Sequence, residues 1–244
     1  MITGRLSAAL LRAAALAALA GPLAGAPASA QTAPSAAEAQ AYTGLLAAAQ
    51  RGDVAALERA LAARSPAEIR ALLDARDGHG RTAVHVAAFA RQHAVLRKLA
   101  AAGADLGTLE NDRYDAVTIA AVADDDDTLR LLLGLGASAK LTTSRYDGTA
   151  LIAAAHLGHE GVVRQLIAAG APLDHVNKLH WTAVIESIVL GNGGARHQAV
   201  LKALLQSGAN PNLADGHGRS PLALARARGL SAMVALLEAH GGKP

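Results

Sequence analysis

The chain has 244 residues, 52% of them hydrophobic and only 2% aromatic, and it contains no cysteine. That excludes a disulfide framework, a thiolate metal site and a lipid-modified cysteine. The formal net charge is +3, and Arg5 and Arg12 supply two of those charges, so the chain beyond residue 30 carries too small a basic excess for a nucleic-acid binder.

Residues 1–30 read as a secretory signal peptide. Arg5 and Arg12 give a positive start, Ala13 to Ala20 is an apolar run, and Ala28-Ser29-Ala30 is a small-x-small site with cleavage expected after Ala30. The run is shorter than the roughly 20 apolar residues a spanning helix needs. A periplasmic or secreted protein is expected, and the alanine-heavy leader with a cysteine-free body suits a bacterial envelope. Residues 31–41, rich in Ala, Pro, Ser and Gln, read as a flexible tether, although Ser35 and Glu38 have the spacing of a capping box.

From residue 42 onward the chain repeats. Thr82-Ala83-Val84, Thr149-Ala150-Leu151, Thr182-Ala183-Val184 and Ser220-Pro221-Leu222 each open a small-residue segment that is followed, further on, by a Gly-Ala or Gly-Gly pair. Those pairs begin at Gly103, Gly136, Gly170, Gly208 and Gly241, in steps of 33, 34, 38 and 33 residues. Val95, Leu96 and Leu99 have the spacing of a core-facing helix. The fullest unit reads Asp77-Gly78-His79-Gly80-Arg81-Thr82-Ala83-Val84-His85-Val86-Ala87-Ala88. It resembles the ankyrin repeat, Asp-x-x-Gly-x-Thr-Pro-Leu-His-x-Ala-Ala, whose period is about 33 residues.

The resemblance implies an all-α ankyrin-repeat solenoid of about six helix–turn–helix units with short β-turn fingers. The units fall near 42–76, 77–109, 110–143, 144–176, 177–213 and 214–244. The first carries an added stretch, in which Ser65-Pro66-Ala67-Glu68 predicts an extra short helix over Pro66 to Leu73. Gly52, Gly158, Gly191 and Gly229 fall at the turn between paired helices, with Arg91 and Asp124 replacing glycine in units two and three. The fifth unit has five extra residues within Asn192–His197, expected as a surface loop. The third unit departs most from the pattern, with Asp115 for Thr and Thr118 for His. A lost helix cap costs about 1 kcal/mol, so this unit is expected to open first.

In the family, the residue before the Thr position, two finger-tip residues and two residues late in the first helix line the concave groove. All five aromatic residues map to such slots: Tyr42, Phe89, Tyr114, Tyr146 and Trp181. The same slots hold His79, Arg81, Arg145, His156, His217 and Arg219. Aromatic and arginine side chains dominate interface hot spots, so these eleven residues form the expected protein-binding face. A second column, Arg97, Arg130, Arg164 and Lys202, should form a basic ladder on the outer helices. It is a solvated face, or a weak attraction for an anionic partner or membrane surface.

Chemistry is sparse. The chain has ten histidines, but the two matching fingers with His79 and His217 lie several units apart, and no carboxylate cluster completes a ligand set. Asp124 to Asp127 suits a helix start. Ser187 and His197 show no nucleophile–base arrangement. The reading is therefore a non-enzymatic, cofactor-free monomer that binds another protein in the envelope as adaptor, scaffold or inhibitor. The alternative is a metal or small-ligand binder using the histidine-bearing fingers.

Overall fold

The computed structural model describes residues 33–244, so the expected signal peptide and its cleavage site lie outside the described residues. Within those residues six helix pairs follow one another: α2 (Gly44–Arg51) with α3 (Val54–Leu61), α5 (Ala83–Phe89) with α6 (His93–Ala101), α7 (Ala116–Val122) with α8 (Asp126–Gly134), α9 (Ala150–Leu157) with α10 (Glu160–Ala168), α11 (Ala183–Val189) with α12 (Ala195–Gln206), and α13 (Pro221–Ala227) with α14 (Ser231–Ala239). Two described helices stand outside the pairs, α1 (Ala36–Ala41) and the extra α4 (Pro66–Leu73). Ser65 and Glu68 form the capping box that starts α4. No strand occurs among the described residues, whose one isolated bridge joins Thr143 to Gly148.

Small residues set the architecture. Ala87, Ala120, Ala154 and Ala225 occupy the same position on α5, α7, α9 and α13 and are buried, letting the first helices stack closely as α2, α5, α7, α9, α11 and α13. The second helices stack alongside as α3, α6, α8, α10, α12 and α14. Val95, Leu96 and Leu99, with Leu129, Leu132, Val162, Val163, Leu166, Leu201 and Leu204, fill the space between the two layers. Each such side chain contributes about 1.5–3 kcal/mol by leaving water.

The fingers are joined along the solenoid by backbone bonds. The amide of Asn111 donates to His79 O (3.0 Å), that of Ser144 to Arg113 O (2.9 Å) and that of Lys178 to Tyr146 O (2.8 Å). A second seam links the turns between paired helices. Gln92 donates to Gln50 O, while the rings of His159 and His197 contact Ala121 O (2.9 Å) and His156 O (2.8 Å). Arg228 donates to Ile188 O and Val189 O. One residue near each of these inter-helix turns thus holds carbonyls left without an intrahelical partner at the end of the preceding unit's first helix.

Four expectations change on this scaffold. The stretch read as a tether carries helix α1, started by a complete Ser35–Glu38 capping box. The fifth-unit insertion is not a free loop, because α12 starts at Ala195 and runs twelve residues against nine for α10. Arg196 then reaches back to Gly158 O (3.0 Å) and Asp124 (2.5 Å), tying three units together. Gly191 does not take the left-handed turn; Gly193 does, at φ 70°. A Cβ at residue 191 would collide with Ser187 O and the His197 ring, so close approach requires glycine there. Lastly, the third unit does not lack its cap, since Asp115 accepts from the amide (2.9 Å) and hydroxyl (2.5 Å) of Thr118. In the first unit, by contrast, α2 starts at Thr43 without a side-chain cap.

Candidate functional site

Each finger is shaped by the first side chain of its loop. Asp77 accepts from the amides of His79 and Arg81, Asp215 from those of His217 and Arg219, and Asn177 Oδ1 from those of Leu179 and Trp181, all at 2.9–3.0 Å. The short polar side chain replaces a backbone acceptor and turns the loop. The next residues therefore stand at the tip, and the one after them runs into the first helix.

At the first finger the expected contact residues are already engaged within the chain. Arg81 is 1% exposed and donates to Asp77 (2.6 Å) and to Glu38 of α1 (2.6 Å). It is a buried tie, not a contact residue on an open face. His79 lies 3.1 Å from the same Glu38 carboxylate, and the Tyr42 hydroxyl donates to Asp77 at 2.7 Å. Burial alone pushes the Asp77 carboxyl up, but the bonds from Tyr42 and Arg81 hold it below the usual range. The side-chain and backbone bonds from Ser35, aided by Arg81, bring Glu38 down to about 2. Substituting Glu38 with alanine is expected to speed amide exchange across Ala36–Ala41 and leave α5 to α14 protected, a pattern that hydrogen-exchange mass spectrometry resolves.

The other expected residues divide by exposure. Phe89 and Trp181 are half-buried and pack against the core. Tyr114 is half-buried, and burial pushes its phenol up. Tyr146 is the exposed aromatic, at 38%. Arg145 pairs with Asp112 (3.3 Å), while the neighbouring Asp147 holds Lys178 (3.0 Å), so the tips of units three to five form a chain of alternating charges. Arg219 pairs with its own Asp215 (2.7 Å), and His217 is exposed. His156 is half-buried near the end of α9, and burial with the nearby His197 lowers its pKa.

Two kinds of groove residue are not among those expected from the sequence. Leu157, the last residue of α9, and Leu190, which directly follows α11, are 39% and 44% exposed. They occupy the second late-helix slot of units four and five, which the repeat register marks but which apolar composition hides. The other is Glu186 on α11, a buried carboxylate bonded to Asn177 (3.0 Å) and 3.7 Å from His156. The large apolar side chains left exposed among the described residues, Tyr146, Leu157, Val176 and Leu190, thus all belong to units four and five.

The outer column is exposed as expected at Arg97, Arg130, Arg164 and Lys202. Arg130 pairs with Asp127 (2.6 Å) and Arg164 with Glu160 (2.8 Å), which cuts its pull on distant anions. Among the described residues no group of three or more His, Asp or Glu could hold a metal. The four consecutive aspartates are each used structurally: Asp124 by Arg196, Asp125 by Thr128, Asp126 by Gln165 and Asp127 by Arg130. No described helix is long and apolar enough to cross a membrane.

Stacked helix pairs with projecting fingers and a side-chain-lined groove define a repeat-built interaction module. The family profile for ankyrin repeats in three copies matches residues 117–215. The chain is 34% identical over 197 residues to an ankyrin repeat protein of Escherichia coli K12, YahD, covering 80% of this chain and 94% of that one. A crystallised ankyrin repeat domain from Acinetobacter baumannii is 42% identical, with a TM-score of 0.74 and coverage of 82% and 98%. A chain in the complex of the Bd0816 predatory endopeptidase of Bdellovibrio bacteriovorus with immunity protein Bd3460 shares the fold at 20% identity, TM-score 0.64 and coverage of 81% and 98%. The protein belongs to the ankyrin-repeat family, whose repeats are protein–protein interaction modules and typically not enzymes.

Proposed function

We propose that this protein acts in the bacterial envelope as a binding adaptor of the inhibitor or scaffold type, gripping one partner protein in the groove of units four and five. The observation that carries the reading is that the large apolar side chains left exposed among the described residues, Tyr146, Leu157, Val176 and Leu190, all fall in units four and five. Large side chains left in water on consecutive repeats serve recognition better than stability. The envelope location rests on the leader-like residues 1–30 and is tested by N-terminal sequencing of exported protein, which should begin at Gln31.

Affinity capture from envelope extract tests the groove. Leu190→Ser removes an exposed side chain and should keep the circular dichroism spectrum while weakening partner capture about tenfold or more. Trp181→Ala and Tyr114→Ala should abolish capture. Retrieval of the same proteins by all three variants at unchanged yield would place the binding face elsewhere.

A further inference from the structure

The fourth residue after the start position of each first helix forms a column: Ala47, Val86, Ile119, Ala153, Glu186 and Leu224. Five members are aliphatic, and one is a carboxylic acid. Glu186 is 5% exposed. Its Oε1 accepts from the Asn177 amide at 3.0 Å. Its Oε2 has no hydrogen-bond donor among the described residues, the nearest candidate being His156 Nδ1 at 3.7 Å. Oε2 is also not among the unbonded polar atoms sealed from solvent, which in the described residues are Gln50 Oε1 and Gln165 Oε1. One oxygen is therefore tied down, and the other is left without a donor at the edge of the groove.

No lysine or arginine lies within ion-pair distance of Glu186 among the described residues. The finger loop brings Asn177 and α9 brings His156, while α12 and α13, the other helices packed on α11, bring no cation within that distance. Burying a carboxylate without a counter-cation is costly, and an aliphatic residue would carry no such cost. The surroundings suit an incoming side chain. Leu190 lies one turn further on the same helix face, exposed Leu157 ends the neighbouring α9, and Ala153 is the column member on that helix. Asn177 links the carboxylate to the aromatic slot, since its Oδ1 accepts from the Trp181 amide.

Building on the proposed groove, we propose that Glu186 receives a cationic side chain of the bound protein, a lysine ammonium or an arginine guanidinium flanked by apolar residues. The free Oε2 supplies the acceptor, Leu157 and Leu190 cover the flanking alkyl groups, and the buried setting strengthens the charge-assisted bond. Burial without a counter-cation pushes the carboxyl up to about 7, and a cation at the free oxygen draws it back down. Binding near neutral pH then releases a proton.

Trp181 is the single tryptophan, so its emission reports on this unit. The full chain is titrated with the tripeptide Leu-Arg-Leu, capped at both ends, and with its citrulline analogue, which keeps the shape without the charge. The arginine peptide should shift the emission with an affinity about tenfold above that of citrulline. Glu186→Gln should erase that preference, and calorimetry in buffers of different ionisation enthalpy should detect proton release with the unmodified chain alone. Equal responses to the two peptides, none included, would overturn the assignment, as would a Glu186→Gln chain that still prefers arginine. Partner capture separates this from the broader reading. Capture lost in Leu190→Ser but unchanged in Glu186→Gln removes the cation receptor and leaves the groove, whereas capture unchanged in both removes the groove as well.

Discussion

Replacing His85 with alanine is expected to destabilise the protein by about 3–5 kcal/mol, seen as a large drop in the urea midpoint. The ring is 1% exposed. Its Nδ1 accepts from the Thr82 amide at 3.1 Å and lies 2.9 Å from the Thr82 hydroxyl. That assigns the remaining proton to Nε2, which donates to Tyr114 O at 3.1 Å. The side chain thus closes the start of α5 and fastens unit two to the finger of unit three. Alanine leaves a buried amide and a carbonyl without their partners, at about 1–3 kcal/mol each, and opens a cavity besides. Amide exchange should rise first where the two units meet.

The same ring gives the protein an acid limit. Burial pushes the pKa of His85 down from 6.5 to about 4. Between those values the unfolded chain binds a proton that the folded chain refuses, so stability falls as pH drops from 6.5 and levels off below about 4. A tenfold difference in proton affinity is worth about 1.36 kcal/mol, giving a loss of about 3 kcal/mol over the window. Urea unfolding at pH 8, 6, 5 and 4 should show this slope in Glu186→Gln, where no opposing carboxyl titrates, and lack it once His85→Ala is added to that variant. A slope that survives the substitution would assign it to other groups.

The repeat was legible because its signals are local. The Thr-Ala-Val starts, the Gly-Ala ends and the Ser-Pro-Ala-Glu box each sit within one turn of the helix they define, so the helix pairs and the extra α4 could be placed. Arg81 shows what repeat register cannot supply. Its slot faces the groove in the family, but Asp77 four residues before it and Glu38 43 residues before it both hold its guanidinium. The second of these depends on where α1 folds back. The insertion hides its structure for a similar reason, because Ala195–His197 is polar enough for a loop yet gains Gly158 and Asp124 as partners once helical. Leu157, Leu190 and Glu186 were hidden by composition rather than distance. Leucine looks like core and glutamate like surface, and here each does the opposite.

Glu186→Gln is expected to stabilise the chain at pH 8 and to do little at pH 4. Burial pushes this carboxyl up from 4.5 to about 7, partly offset by the hydrogen bond from Asn177. Between 4.5 and 7 the folded chain holds a proton that the unfolded chain has lost. Stability is therefore greatest below 4.5, declines as pH rises through the window and reaches its floor above 7. Glutamine keeps the shape and can still accept from Asn177 without carrying a charge, so the variant should gain about 2–3 kcal/mol at pH 8. His85 and Glu186 work in opposite directions between pH 4.5 and 6.5, the first losing stability on acidification and the second restoring it. The native chain should accordingly show little net pH dependence from this pair in that window. Each single variant should uncover the slope of the partner left behind, downward towards acid in Glu186→Gln and upward in His85→Ala. A native carboxylate with a normal pKa would give the native chain and Glu186→Gln equal urea midpoints across the whole range. If the carboxylate does receive a cation from the bound protein, its cost in the free chain is the reason a partner with the right charge binds more tightly than a neutral one.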